Sequence, residues 1–378
     1  MKKIPEHLSQ KLEIRKEQNA LRILPTLRRE VDFSSNDYLG FSQSEIIFNE
    51  THQYLITNEI IQNGATGSRL ISGNHKLYKT TEEYISRFHQ SEAALLFNSG
   101  YDANLGFFGS VPQKRDLILY DELSHASIRD GIQLSRAKAY KFNHNDFEDL
   151  EKLILRNPNT VIYIVTESVF SMDGDCPNLE ELILVATKHN CYVVIDEAHA
   201  LGVFGDKGEG YVQMLGLQDY VFARIMTYGK GLGCHGAAIL GSENLRDYLV
   251  NFARSFIYTT GLSPHAVASI FIAYGHLKQD SNSILKLREN IVSFNQQKNL
   301  LGLKSLFVRS KSAIQSAIIP GNEKVKAIAG QLQEKGFDVK AILSPTVPEG
   351  QERLRFCLHS YNSTQEISAV MQCIYSLL

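Results

Sequence analysis

The sequence predicts an α/β protein: a large, mostly parallel sheet domain followed by a smaller C-terminal α+β domain. Three observations predict it. Short, nearly continuous apolar runs at 94–97, 117–120, 161–166, 192–195 and 222–226 alternate with helical patterns. Strands apolar on both faces belong in a sheet covered on both sides. At 378 residues the chain exceeds the usual size of a single core. Near Pro264 the alternation stops and a long helical region begins.

Taken in order, residues 5–29 read as an amphipathic helix carrying Leu8, Leu12, Ile14 and Leu21 among charges, ending before Pro25. A short strand from Val31 runs into a polar turn ending at Gly40, and residues 64–74 form a glycine-rich polar loop. Leu77, Tyr84, Ile85 and Phe88 share one helical face, as do Leu179, Leu182, Ile183 and Ala186 between the third and fourth strands. Beyond Pro264 helix reaches toward residue 306. Asn322 is placed to cap a helix with Val325, Ile328, Ala329 and Leu332 on one face, stopped by Gly336. Strands at 337–343 and 353–358 flank a proline-containing turn. Ser363 and Glu366 then form a capping box for a helix apolar at Ile367, Val370, Met371 and Ile374. The predicted organisation is an N-terminal helix-and-strand segment (1–45), a large α/β domain (46–275) and a small α+β domain (276–378).

The net charge of −2, from 39 basic and 41 acidic residues, argues against nucleic acid or an anionic membrane as the main partner. The five cysteines are scattered and contain no Cys-x-x-Cys pair, which suits reduced thiols better than a disulfide framework or a metal site. No apolar run approaches the length of a membrane span. A cytoplasmic protein is expected.

The segment 226–241 draws attention to Lys230, which is flanked by Gly229, Gly231 and Gly233 between two apolar runs. Glycines there clear space for a planar partner and permit unusual backbone angles. Lys230 suits a Schiff base with an aldehyde cofactor, or is an idle lysine in an exposed glycine-rich hairpin. A nucleotide phosphate loop is excluded, because Gly231 follows the lysine where Ser or Thr is needed. Ligands of open α/β sheets bind at the carboxyl ends of the strands. Asp196 ends the fourth strand, with His199 three residues on. It either faces a cation such as a protonated pyridine nitrogen or caps a helix. His125 also follows a strand, as a stacking ring or a surface histidine. Gly100 and Tyr101 open a strand-to-helix turn of the kind that favours phosphate. Ser171 lies in another loop after a strand.

Together these motifs resemble the α-oxoamine synthases, a family of fold-type-I pyridoxal-phosphate enzymes. The resemblance rests on 196–199 (Asp-Glu-Ala-His), 227–231 (Thr-Tyr-Gly-Lys-Gly), 124–127 (Ser-His-Ala-Ser), 167–174 and 67–73. It implies that pyridoxal 5'-phosphate is bound to Lys230, which also moves the substrate α-proton, with Asp196 at the pyridine nitrogen and His125 stacked on the ring. It further implies that Gly100, Tyr101, Ser171, His199 and Thr227 contact the cofactor. Thr260 (or Thr259) would reach the phosphate of a neighbouring subunit in a homodimer with shared active sites. Arg355 would grip the amino-acid carboxylate, and Arg22 and Thr346 would contact the acyl substrate. The implied reaction is the decarboxylative condensation of an amino acid, L-alanine in the favoured version, with a pimeloyl thioester on coenzyme A or acyl carrier protein. A sister reaction using glycine or serine is the alternative, and a non-catalytic scaffold paralogue is the rival of another class. Cys234 and His235 depart from the family pattern and read as a packed thiol and a solvent-facing histidine.

Overall fold

A computed structural model describes residues 3–22, 24, 30–279 and 281–378. Its strands are β1 (Val31–Asp32), β2 (Ala93–Phe97), β3 (Leu117–Asp121), β4 (Lys138–Phe142), β5 (Ile162–Glu167) and β6 (Tyr192–Asp196). They continue as β7 (Ala223–Thr227), β8 (Ala237–Gly241), β9 (Ile314–Ile318), β10 (Phe337–Asp338), β11 (Lys340–Ile342) and β12 (Arg353–Cys357). The chain divides into two compact units, one of residues Asn36–Ser171 and Asp175–Leu287, the other of Met1–Ser35, Met172–Gly174 and Arg288–Leu378. The N-terminal segment thus clusters with the C-terminal unit, three residues of the 170s loop join it, and the division falls at 287/288.

The larger unit holds a seven-stranded sheet in the order β2-β8-β7-β6-β5-β3-β4. The pairs from β4 through β7 are parallel, whereas β8 is antiparallel to both β7 and β2. Alternate residues feed two cores, one on each face. Tyr163, Val165 and Val194 join Phe107, Phe108 and Ile128 on one side. Ile162, Ile164, Val193 and Ile195 join Leu179, Leu182 and Ile183 on the other. This double coverage is why β5 and β6 are apolar at almost every position. Each such Leu or Ile contributes about 1.5–3 kcal/mol by leaving water. Strand β4 escapes an apolar-run criterion because it is the sheet edge: Lys138, Tyr140 and Lys141 are exposed and only Phe142 is buried.

In the smaller unit β11, β12 and β9 form an antiparallel sheet, and β1 pairs in parallel with β10. The strand expected over 337–343 is therefore two short strands in different sheets. Asn322 is not a cap. It is the first helical residue, Gly321 stands at the N-cap, and the Asn322 side-chain oxygen accepts instead from the Ser344 amide at 3.0 Å. The Ser363–Glu366 capping box is present, and its helix buries Ile367, Val370, Met371 and Ile374 as expected. The N-terminal helix spans only Glu6–Glu17 and buries none of its residues. Leu8, Leu12 and Ile14 are exposed, so the apolar spacing marks no packed face. The chain leaves the helix at Asn19, whose φ is 53°. The remainder of the expected helix, at 23 and 25–29, lies outside the described residues. None of the described helices is long and apolar enough to cross a membrane.

Candidate active site

Because β3, β5, β6 and β7 are parallel, their carboxyl ends lie along one edge of the sheet. Strand β2 runs the same way, since it is antiparallel to β8, which is antiparallel to β7. Asp196 and Thr227 end two of these strands, and the segments that follow the strands carry Gly100, His125, Ser171, His199 and Lys230. The larger unit thus gathers every residue that the motifs assigned to the cofactor within that unit.

Lys230 sits in the hairpin between β7 and β8, closed by Tyr228 N–H donating to Gly236 O (2.9 Å) and Cys234 N–H to Tyr228 O (2.8 Å). Lys230 lies in a glycine-rich hairpin, but it is half-buried rather than exposed. The flanking glycines are required by close backbone packing. A Cβ on Gly231 would overlap the Leu201 carbonyl oxygen, and one on Gly233, whose φ is +59°, would overlap the Ser42 amide. A Cβ on Gly229 would make only an ordinary contact, 3.5 Å from the Cys234 carbonyl oxygen. Close backbone contact thus accounts for Gly231 and Gly233. The hairpin is pinned against the His199–Gly202 loop, and this holds the amine in place: Lys230 Nζ lies 2.9 Å from His199 Nε2. His199 Nδ1 in turn lies 2.6 Å from Tyr38 Oη, and Tyr38 donates to Asn36 Oδ1 at 3.2 Å. Tyr38, which is fully buried, and Asn36 lie in the polar turn that ends at Gly40 and received no role from the sequence.

Asp196 is 6% exposed and caps no helix. Its Oδ1 accepts from Ala198 N–H (2.9 Å) and its Oδ2 from Asn104 Nδ2 (2.9 Å). It forms no ion pair among the described residues, so a buried carboxylate stands ready for a cation. Beside it on the neighbouring strand is Glu167, in register with Asp196. Burial, with the Asp196 charge added, pushes the Glu167 carboxyl up to about 8, against the pull of Lys230 and the His125 amide. Glu167 Oε1 accepts that amide at 2.6 Å.

His125 stands at the N-cap of helix Ala126–Leu134, its Nδ1 accepting from Ser127 N–H. Burial lowers its pKa; Asp196 and Asp130 raise it, Lys230 and Arg129 lower it further. Ser99 caps helix Gly100–Phe108 through the Asp102 amide. A Cβ on Gly100 would overlap Thr227 Oγ1, so only glycine lets the helix start against that hydroxyl. The Gly100 and Tyr101 amides donate to no backbone oxygen among the described residues. Two amides at a helix N-terminus beside a threonine hydroxyl form a cradle for phosphate. Tyr101 is 46% exposed, and its hydroxyl donates to Asp130 at 2.6 Å. Thr260 is exposed, and Asn98 holds its segment by donating to Thr259 Oγ1 (3.0 Å) and Thr260 O (2.8 Å).

A half-buried ion triad supports the loops. His144 donates from Nδ1 to Asp121, at the end of β3, and from Nε2 to Asp175, beyond the Ser171 loop, both at 2.9 Å. Burial disfavours the imidazolium, but the two carboxylates prevail and raise its pKa to about 10. Asp121 and Glu167 end strands as Asp196 does, so the strand-end rule that found one could have found all of them. Asn104 had a signal too: it is a buried polar side chain among Ala103, Phe107 and Phe108. Cys234 donates to Leu232 O at 3.1 Å, with burial pushing its thiol up to about 12, and His235 is exposed, as expected of both.

Arg355, Thr346 and Arg22 belong to the smaller unit. Arg355 is buried on the central strand β12, whereas Thr346 and Arg22 are exposed.

The geometry fits pyridoxal phosphate: an amine, a buried carboxylate without a counter-ion, a flat histidine and a phosphate cradle at one sheet edge. Residues 28–374 match the family model described as aminotransferase class I and II. The chain belongs to that family, with the fold-type-I architecture, and pyridoxal 5'-phosphate is its cofactor. Among curated relatives, an 8-amino-7-oxononanoate synthase of Emericella nidulans is 41% identical over 95% of this chain and 91% of its own. A putative 8-amino-7-oxononanoate synthase of Geobacillus kaustophilus is 35% identical over 98% and 94%. Among solved structures, a Francisella tularensis 8-amino-7-oxononanoate synthase matches with a TM-score of 0.78 at 28% identity, covering 92% of this chain and 97% of its own. A Sphingomonas wittichii serine palmitoyltransferase matches with 0.89 at 26%, covering 98% and 96%.

Proposed function

We propose that this chain catalyses the decarboxylative condensation of L-alanine with a pimeloyl thioester, giving 8-amino-7-oxononanoate, the reaction that the name of its 41% identical relative describes. The observation that carries the chemistry is Lys230 held 2.9 Å from His199 in the unit that also buries Asp196 and carries His125. When bound, the cofactor supplies an electron sink for the pair left on the amino-acid α-carbon. Lys230 Nζ anchors it and takes and returns the α-proton, a general acid–base role worth about 10²–10⁴ in rate. Asp196 holds the positive charge of a ring nitrogen, supported by the Asn104 and Ala198 donors. His125 stacks on the ring. The Gly100 and Tyr101 amides, with Thr227, hold the phosphate, while His199 and Ser171 hold the phenolic oxygen and phosphate.

Arg355 binds the amino-acid carboxylate with its planar fork, and Arg22 and Thr346 contact the acyl chain. The working form is a homodimer in which Thr260 reaches the phosphate in the neighbouring subunit. Exposed apolar side chains in the larger unit support a second copy: Ile46, Phe48, Ile56, Ile61 and Ile71 all face solvent, Ile61 at 89% and Ile71 at 86%.

The sister reaction with glycine or serine is the second reading, favoured by the fold match to a serine palmitoyltransferase. Incubation of holoenzyme with pimeloyl-coenzyme A and each amino acid in turn separates them. Thiol release with alanine, and a product of the mass of 8-amino-7-oxononanoate, is expected. Release with glycine or serine alone contradicts the proposal.

A further inference from the structure

The donors around His125 form a directed chain. Asp196 Oδ2 is a carboxylate oxygen and accepts, so the Asn104 atom 2.9 Å from it is the amide nitrogen, Nδ2. The two hydrogens of that nitrogen meet two acceptors, Asp196 Oδ2 and Ser127 Oγ at 3.0 Å. With its oxygen accepting from Asn104, the Ser127 hydroxyl turns its own hydrogen to its other neighbour, His125 Nδ1 at 2.8 Å. The Ser127 backbone N–H is aimed at the same nitrogen from 3.2 Å. Two donors on one ring nitrogen leave no place there for a proton. The reversed amide is ruled out, since it would set the Asn104 oxygen against a carboxylate oxygen.

We infer that Asn104 and Ser127 are positioning residues that fix His125 as the neutral tautomer, with Nδ1 accepting and the proton on Nε2. Two further features agree. Burial disfavours the imidazolium, with Lys230 and Arg129 opposing it and Asp196 and Asp130 favouring it. Glu167 clamps the His125 backbone amide at 2.6 Å, which fixes the main chain from which the ring projects. The chain is also buried: Asn104 is 1% exposed and Ser127 2%.

The consequence bears on the proposed reaction and rests on that reading. A ring whose Nε2 is protonated donates a hydrogen bond to a substrate oxygen and cannot accept a proton from carbon. His125 is thereby a donor and a neutral stacking plate. Proton transfer falls to Lys230. A neutral ring is also a better neighbour than an imidazolium for a cationic heteroaromatic ring. Asp196, which sets the direction of the chain, thus orders both the ring nitrogen and the histidine.

The test reads the tautomer directly, apart from any activity. Holoenzyme labelled with ¹⁵N-histidine gives ring-nitrogen shifts, and His125→Asn identifies the signals that belong to His125. Near neutral pH the expected result is an unprotonated Nδ1 and a protonated Nε2. Ser127→Thr, which keeps the hydroxyl, should preserve both shifts. Ser127→Ala should average them toward a mixture of tautomers and lower kcat several-fold. A protonated Nδ1 in the wild type, or shifts unmoved in Ser127→Ala, overturns the inference. If Ser127→Ala does not fold, the wild-type and Ser127→Thr spectra still decide. Absence of thiol release with any amino acid would remove the reaction while leaving the tautomer standing.

Discussion

At the scale of single residues the site is a set of strand-end acids with opposed environments. Asp196 and Glu167 are neighbours in register, yet two buried anions side by side repel. Glu167 yields: burial, with the Asp196 charge added, pushes its carboxyl up to about 8, against 4.5 ordinarily. The native state therefore binds a proton that the unfolded chain has released between those values, and stability falls as pH rises through that window. Glu167→Gln keeps an acceptor for the His125 amide and removes that cost. Its melting temperature relative to wild type should climb from pH 4.5 to 8, and a flat difference would contradict the assignment. Asp196→Asn should lower kcat by about 100-fold or more while the melting temperature moves little, because the lost interaction is electrostatic and made in the reaction. Equal losses of stability and rate would count against it. Lys230, Asp196, His125 and Gly100 were legible in the sequence because they sit in short motifs directly after apolar strands. Tyr38 and Asn36 were not, since their partner His199 is remote in the chain and only the fold brings them together.

At the scale of elements, the loops are held by two devices that local patterns do not spell out. One is the packing of the 228–236 hairpin on the Leu201 carbonyl. Gly231→Ala forces that backbone to move, at about 1–3 kcal/mol, and should weaken cofactor affinity measured by equilibrium dialysis. Unchanged affinity and stability would show that the contact is soft. The other device is the Asp121–His144–Asp175 triad. His144 has a raised pKa, so its contribution is complete below the unfolded value of 6.5 and is lost as pH rises through about 10. His144→Gln should cost on the order of 3 kcal/mol at pH 6 in denaturant titrations. The deficit should shrink as pH approaches 10. The elements themselves show where periodicity succeeds and fails. Strands β5, β6 and β7 announced themselves because both faces are covered. The edge strand β4 and the divided β10 and β11 did not, and the first helix was overextended because its leucines touch nothing.

At the scale of the whole molecule, the proposed homodimer would draw on apolar side chains left exposed between Ile46 and Ile71. Light scattering at micromolar concentration should give the mass of two chains, and Ile61→Asp with Ile71→Asp should shift it toward one. A monomer that is fully active would remove the shared-site proposal. The near-neutral charge balance argues against nucleic acid but gives no sign of these side chains, because composition carries no information about which apolar residues stay exposed.

All of this depends on the amine of Lys230 carrying the cofactor. Borohydride reduction of the holoenzyme, followed by digestion and mass measurement of the peptide spanning 226–241, tests it most directly. The account predicts a single pyridoxyl-phosphate addition on Lys230. An unmodified Lys230, with the label on another lysine or absent, would contradict it.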